Sequence, residues 1–252
     1  MSGEFDKTAE QPTTPASPRR RRESRRLRRA QIVYVASLAA FAVLAVLAHE
    51  YAYFAWDLRL ARAIQSIDFP GWAALMEWTS VFGNGLTSWG LTIATALMFF
   101  VWRRRSEGVG LALCTWGGSL VNRILKVLVG RPRPSAELVG FAYGSDEMSF
   151  PSGHVMFYVC FFGFLFFVAY ALLPRATQAR RIALVLLPIP VLLVGLSRVT
   201  LRAHWPSDVL GAYLLSGVWL TVSLDIYRRW KRRATSHPEE PAVAGTEVTG
   251  TP

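Results

Sequence analysis

Cysteine is scarce in this chain. Only Cys114 and Cys160 occur among 252 residues, without a CxxC pair or the His/Cys spacing of a zinc site, so neither a disulfide framework nor a structural metal organises it. Both lie in apolar stretches and read as small core residues, which says little about redox compartment. Charge is thin as well. Charged residues make up 18% of the chain against 52% hydrophobic and 13% aromatic, whereas a soluble domain carries about 25% charged residues. Acidic residues are the scarcer sign, 17 against 28 basic, and no acidic cluster suggests a metal site. No internal repeat is visible, and related halves with paired broken helices, expected of a transporter, are missing. So is a secretory signal with a short polar lead and an A-x-A-like cleavage site.

What is present is a series of apolar blocks, each near the roughly 20 helical residues that cross a bilayer. The first, residues 30–48, is too long for a signal core and reads as a retained span. The second is expected over 86–102, the third over 109–129, the fourth over 153–173, the fifth over 182–196 with Pro188 and Pro190 inside it, and the sixth over 208–226. The fold class is therefore all-α: a polytopic membrane protein with six transmembrane helices. Residues 50–85 alternate apolar and charged side chains, including Asp57, Arg59 and Arg62, and with Trp56, Trp72 and Trp78 suit an interfacial segment. Gly83-Asn84-Gly85 is a break. Residues 1–30 are rich in Pro, Ser, Thr and Arg without apolar periodicity and are expected to form a disordered tail. Residues 31–230 then form the membrane domain, and 231–252 a second disordered tail.

A net charge of +11 would fit a nucleic-acid binder, but its distribution does not. The cations gather in 19–29, 103–105, 175–181 and 228–233, each against an apolar block. With six spans all four clusters share one face, which the positive-inside rule makes cytoplasmic. The expected partners are a bilayer with anionic lipids and no nucleic acid; oligomeric state is not readable. The chain is thus expected in the plasma (inner) membrane with both termini cytoplasmic.

The opposite face receives the loops that carry chemistry. Asn122, Arg123 and Lys126 lie near the outer end of the third span, where a charge either faces a cavity or partner or snorkels to the interface. Arg131-Pro132-Arg133-Pro134 stops that helix and holds two planar forks suited to phosphate, although a basic loop is also commonly just solvated. Pro151-Ser152-Gly153-His154 opens the fourth span. A helix start presents unpaired N–H groups to an anion, Ser152 can cap and donate, and Gly153 permits close approach. An ordinary helix start with an incidental histidine is the alternative. Ser197-Arg198 closes the fifth span, and His204 and Asp208 bracket Pro206 at the start of the sixth. A carboxylate beside an imidazole fixes its tautomer and stabilises its charge; alternatively Asp208 serves only the helix dipole.

Taken together, Lys126, six residues, Arg133-Pro134; Pro151-Ser152-Gly153-His154; and Ser197-Arg198, five residues, His204, three residues, Asp208 resemble the tripartite signature of the type 2 phosphatidic acid phosphatase (PAP2) superfamily. The resemblance spans about residues 83–226 without departure at a signature position. It implies a lipid phosphate phosphatase that needs no metal or other cofactor. His204 would be the nucleophile, Asp208 its orienting partner, and His154 the acid and then base. Lys126, Arg133, Ser152, Gly153 and Arg198 would hold the phosphate. Arg131 and Arg202 remain extra outer-face cations, able to hold a second phosphate or simply solvated. Undecaprenyl diphosphate and phosphatidylglycerophosphate rank first as substrates; phosphoryl transfer to another acceptor is the rival activity, and non-catalytic binding of lipid phosphates a more distant one.

Overall fold

In hydrocarbon an α-helix satisfies every backbone group within its own segment, which is why long apolar stretches fold that way. The computed structural model describes residues 18–140 and 148–236. Among these there are ten helices and no strand: α1 (Pro18–Glu50), α2 (Ala55–Gln65), α3 (Trp72–Val81), α4 (Gly85–Val101), α5 (Arg105–Val129), α6 (Ala136–Val139), α7 (Gly153–Leu172), α8 (Gln178–Leu186), α9 (Pro188–Thr200) and α10 (Pro206–Ser236). Four described segments are long and apolar enough to cross a membrane, namely Leu27–Glu50, Gly153–Leu172, Gln178–Thr200 and Pro206–Arg233. The pair α3 and α4, bent by 58°, would make a fifth. Helix α5 has 25 residues but is made less apolar by Asn122, Arg123 and Lys126, and counting it separates five spans from the expected six.

The apolar core runs along α5, α7 and α10, with Leu111, Cys114, Tyr158, Cys160 and Phe164 fully buried. Both cysteines are free and buried. Trp219 Nε1 donates to the Cys114 carbonyl at 2.8 Å, closing α10 onto α5. Helix α9 packs on α7 and α3.

Several boundaries differ from expectation. Helix α1 begins at Pro18, so residues 18–30 are helical rather than an irregular tail; proline suits a first helical position, and the arginines after it are good helix formers. Helix α10 likewise continues to Ser236, past the expected tail boundary at 231. The rest of both expected tails, 1–17 and 237–252, lies outside the described residues. The fifth span is divided at its prolines: α8 ends at Leu186 and Pro188 opens α9, where no intrahelical N–H bond is needed, while Gln178–Thr200 together is long enough to cross.

Helix ends sort into two groups. At one end Glu107, at the start of α5, accepts from Lys231 (2.5 Å) and Tyr227 (3.2 Å) near the end of α10. Arg228 lies over the Phe167 ring and Arg180 over that of Tyr170. Basic clusters from three turns therefore meet there. At the other end His49 Nδ1 lies 2.9 Å from the Val129 carbonyl, joining the ends of α1 and α5 beside the loops that carry the polar motifs.

Candidate active site

Helix starts and ends supply this site, because only there are backbone groups left unpaired. Pro206 begins α10 and places Asp208 in its first turn. Asp208 is fully buried. Its Oδ2 accepts from the Trp205 N–H at 2.8 Å and from the Ser149 hydroxyl, and lies 3.6 Å from His204 Nδ1. His204 is itself 2% exposed, and its backbone N–H donates to the Arg198 carbonyl at 3.3 Å. Nδ1 is turned to Asp208 and Ser149, which leaves Nε2 as the other ring nitrogen. Burial, then the charges of Lys126, Arg198 and Arg133, hold the His204 imidazole well below the ordinary histidine range, against a smaller opposing effect from Ser149. The neutral form of the ring is therefore favoured.

The predicted cations converge from three elements. Lys126, in the last turn of α5, donates to the Met148 carbonyl. Arg133 Nη1 reaches the Ala203 carbonyl at 3.5 Å. Arg198 is 2% exposed and donates to the Ser80 hydroxyl of α3. These contacts fix the cations beside Ser149, His204 and the broken α3–α4 pair respectively. Arg123, on the same helix as Lys126, points outward and is exposed.

Ser152 stands at the N-cap of α7 but makes no capping hydrogen bond, so that half of its expected role is corrected. Its hydroxyl is buried and has no hydrogen-bond partner among the described residues. A buried unsatisfied hydroxyl costs about 1–3 kcal/mol and calls for an explanation; a bound anion would supply one. Asn122 Nδ2 holds the Pro151 carbonyl at 3.2 Å, and a Cβ added to Gly153 would stand 3.2 Å from Asn122 Oδ1. The start of α7 is thus clamped onto α5. His154 Nε2 lies 3.2 Å from Asn84 Oδ1, and Gly83 packs against its ring. Ser80, Asn84, Glu77, Thr200 and Arg202 line a cavity of about 500 Å³ beside these two histidine and arginine contacts.

Some groups escaped the sequence reading. Arg131 is not a solvated surface cation. It is 1% exposed, and its guanidinium donates to Asp208 Oδ1 (2.6 Å), Ser207 Oγ (2.6 Å) and Asp57 Oδ2 (2.9 Å). Asp57 is fully buried rather than part of an interfacial surface. The alternation around it hid this, because partners 74 and 150 residues away leave no local trace. Asn84 and Gly83 were read as a helix break, and they also form the wall against which His154 rests. Asp146 and Glu147, between α6 and α7 in sequence, lie outside the described residues.

The model of the PAP2 superfamily matches residues 107–232. Phosphatidylglycerophosphatase B of Bacillus subtilis is 32% identical over 126 residues, 50% of this chain and 60% of that relative, so less than two thirds of its length is spanned. Decaprenylphosphoryl-5-phosphoribose phosphatase of Mycobacterium tuberculosis is 31% identical over 153 residues, covering 58% of this chain and 77% of that protein. Among solved structures, the crystal structure of a transmembrane PAP2-type phosphatidylglycerolphosphate phosphatase from Bacillus subtilis superposes with a TM-score of 0.68 at 26% identity, over 79% of this chain and 98% of that one.

Proposed function

This chain belongs to the PAP2 superfamily, and from that premise we propose that it is a multi-pass membrane lipid phosphate phosphatase working through a phosphohistidine. The observation that carries the reading is the buried His204, with Nδ1 toward Asp208 Oδ2 at 3.6 Å and the cations Lys126, Arg133 and Arg198 around it. His204 Nε2 attacks phosphorus, and the bond from phosphorus to the leaving oxygen breaks. That oxygen takes a proton from His154, whose other ring nitrogen is held by Asn84. Water then attacks the phosphohistidine, giving its proton to His154; inorganic phosphate leaves and His204 is restored. Arg133, Arg198 and Lys126, with the Ser152 hydroxyl and the N–H groups near Gly153, hold the nonbridging oxygens. Phosphoryl transfer rests mainly on such positioning and charge stabilisation.

The substrate class ranked first is a lipid carrying a terminal phosphate on a polar headgroup, phosphatidylglycerophosphate in particular, followed by undecaprenyl diphosphate. The named activities of the relatives support the first, and the cavity beside Asn84 and Ser80 offers room for a polar leaving group. Six spans, with the basic clusters cytoplasmic and the site at the outer face, complete the reading, supported by the gathering of basic turns at the opposite end of the bundle.

Phosphate release by the detergent-purified protein in EDTA tests it. The panel contains phosphatidylglycerophosphate, undecaprenyl diphosphate, phosphatidic acid and a soluble phosphomonoester, with His204→Ala as control. Release from a lipid that is lost in the variant is the expected result. Release that persists in folded His204→Ala protein would overturn the mechanism, and no release from any lipid by folded protein would overturn the phosphatase reading.

A further inference from the structure

Asp57 lies outside the residues matched by the family model, near the start of α2. A carboxylate in a first helical turn is ordinarily a cap exposed to water. This one is fully buried. It accepts from the Phe54 N–H (3.2 Å), the Ser207 N–H (2.8 Å), the Ser207 hydroxyl (2.6 Å) and Arg131 Nη2 (2.9 Å). Arg131 is equally buried and spends its remaining donors on Ser207 Oγ, Asp208 Oδ1 and the carbonyls of Tyr51 and Ala52. The result is a continuous buried row: Asp57, Arg131, Asp208, His204.

We propose that Asp57 is a positioning residue for phosphoryl transfer, acting through Arg131 to set the negative charge that Asp208 presents to His204. This rests on the phosphatase reading above. The charge balance gives the reason. Arg131 touches Asp208 Oδ1 at 2.6 Å, and with no second carboxylate it would neutralise Asp208, leaving His204 beside a neutral pair. Asp57 takes part of that guanidinium, so the three groups keep one net negative charge, directed at the ring that must become positive when it is phosphorylated. Loss of Asp57 leaves the surroundings of His204 more positive. Its protonation then becomes harder, and N-phosphorylation is less stabilised.

The other charged or titratable groups acting on His204 are Lys126 from α5, Arg133 from the loop after it, Arg198 from α9 and Asp208 from α10, together with His154 from α7. All remain in place in Asp57→Asn, which keeps the shape and removes only the charge. The experiment measures kcat and kcat/KM against pH for the full-length protein and Asp57→Asn on one substrate, phosphatidylglycerophosphate, so that the ionisation of the substrate is common to both. The expected result is a loss of kcat of about tenfold or more, with the acidic limb of kcat/KM displaced to lower pH by about half a unit or more. Asp57→Glu should restore part of both. Ser207→Ala, which removes only the hydroxyl between the two partners, should move the limb the same way by less, and it carries the test if Asp57→Asn does not fold. A limb that stays in place in the folded variants, with only thermal stability reduced, would make Asp57 a staple between α2 and α10 and overturn the proposal. No phosphate release by the unaltered protein would instead overturn the phosphatase reading, and this proposal with it.

Discussion

Gly83→Ala places one methyl group where the structure has no room for it. A Cβ on Gly83 would stand 2.3 Å from His154 Cδ2 and 2.7 Å from Cγ. Carbon atoms in contact rest about 3.5–4.0 Å apart. Either the imidazole or the turn between α3 and α4 must therefore yield by about 1.2 Å. The ring is the softer of the two, and moving it breaks the 3.2 Å contact between Nε2 and Asn84. A displacement of about 1 Å at a reacting group costs on the order of 10²-fold in rate, or about 2.7 kcal/mol of transition-state stabilisation. The assay is kcat and KM for purified Gly83→Ala, His154→Ala and the double variant, with thermal unfolding as a check on folding. The losses should not add, because once the ring has gone the extra methyl meets only the Cβ of residue 154, at 3.1 Å, so the double variant should stay close to His154→Ala alone. Near-normal kcat in Gly83→Ala, or additive losses in the double variant, would refute the idea that Gly83 seats the His154 ring for the proposed reaction.

Other outcomes follow from the same geometry. Arg131→Met strands two buried carboxylates, and breaking such a pairing costs about 3–5 kcal/mol, equivalent to a fall of roughly 6–20 °C in Tm for a protein of this size; a change of a degree or two in a thermal-shift assay would contradict the burial argument. Arg198→Lys keeps the charge but loses the planar fork, and kcat/KM should drop by about 10²-fold, as for loss of one oxyanion donor, whereas retention of activity would show that a point charge suffices. The pH profile has a defined sign. His204 is held well below the ordinary histidine value, so its neutral form, the one the proposed mechanism uses, persists on acidification. After correction for substrate ionisation the acidic limb of kcat/KM should lie below about pH 6.5. A limb at or above that value would contradict the burial of the ring. The same shift makes the unfolded state bind the proton first, so the contribution of His204 to stability is present above the ordinary histidine value and is lost as pH falls through the folded one.

The chain alone determined the class of fold and much of the candidate site. Hydropathy along a polymer is local information. Apolar blocks of bilayer length can only become helices, and the starts of α7 at Gly153 and α4 at Gly85 differ from expectation by no more than a residue. The motif residues were visible because their spacing lies within single turns: His204 and Asp208 are four residues apart and meet across the first turn of α10. Tertiary structure alone decided which other polar groups join them. Asp57 reaches Arg131 across 74 residues and Ser207 across 150. Asn84 meets His154 across 70, and Ser80 meets Arg198 across 118. No periodicity or local spacing encodes such pairs. A buried aspartate in α2 and a solvated one have the same neighbours in sequence, and only the packing of α2 against the start of α10 withdraws Asp57 from water and obliges it to find Arg131.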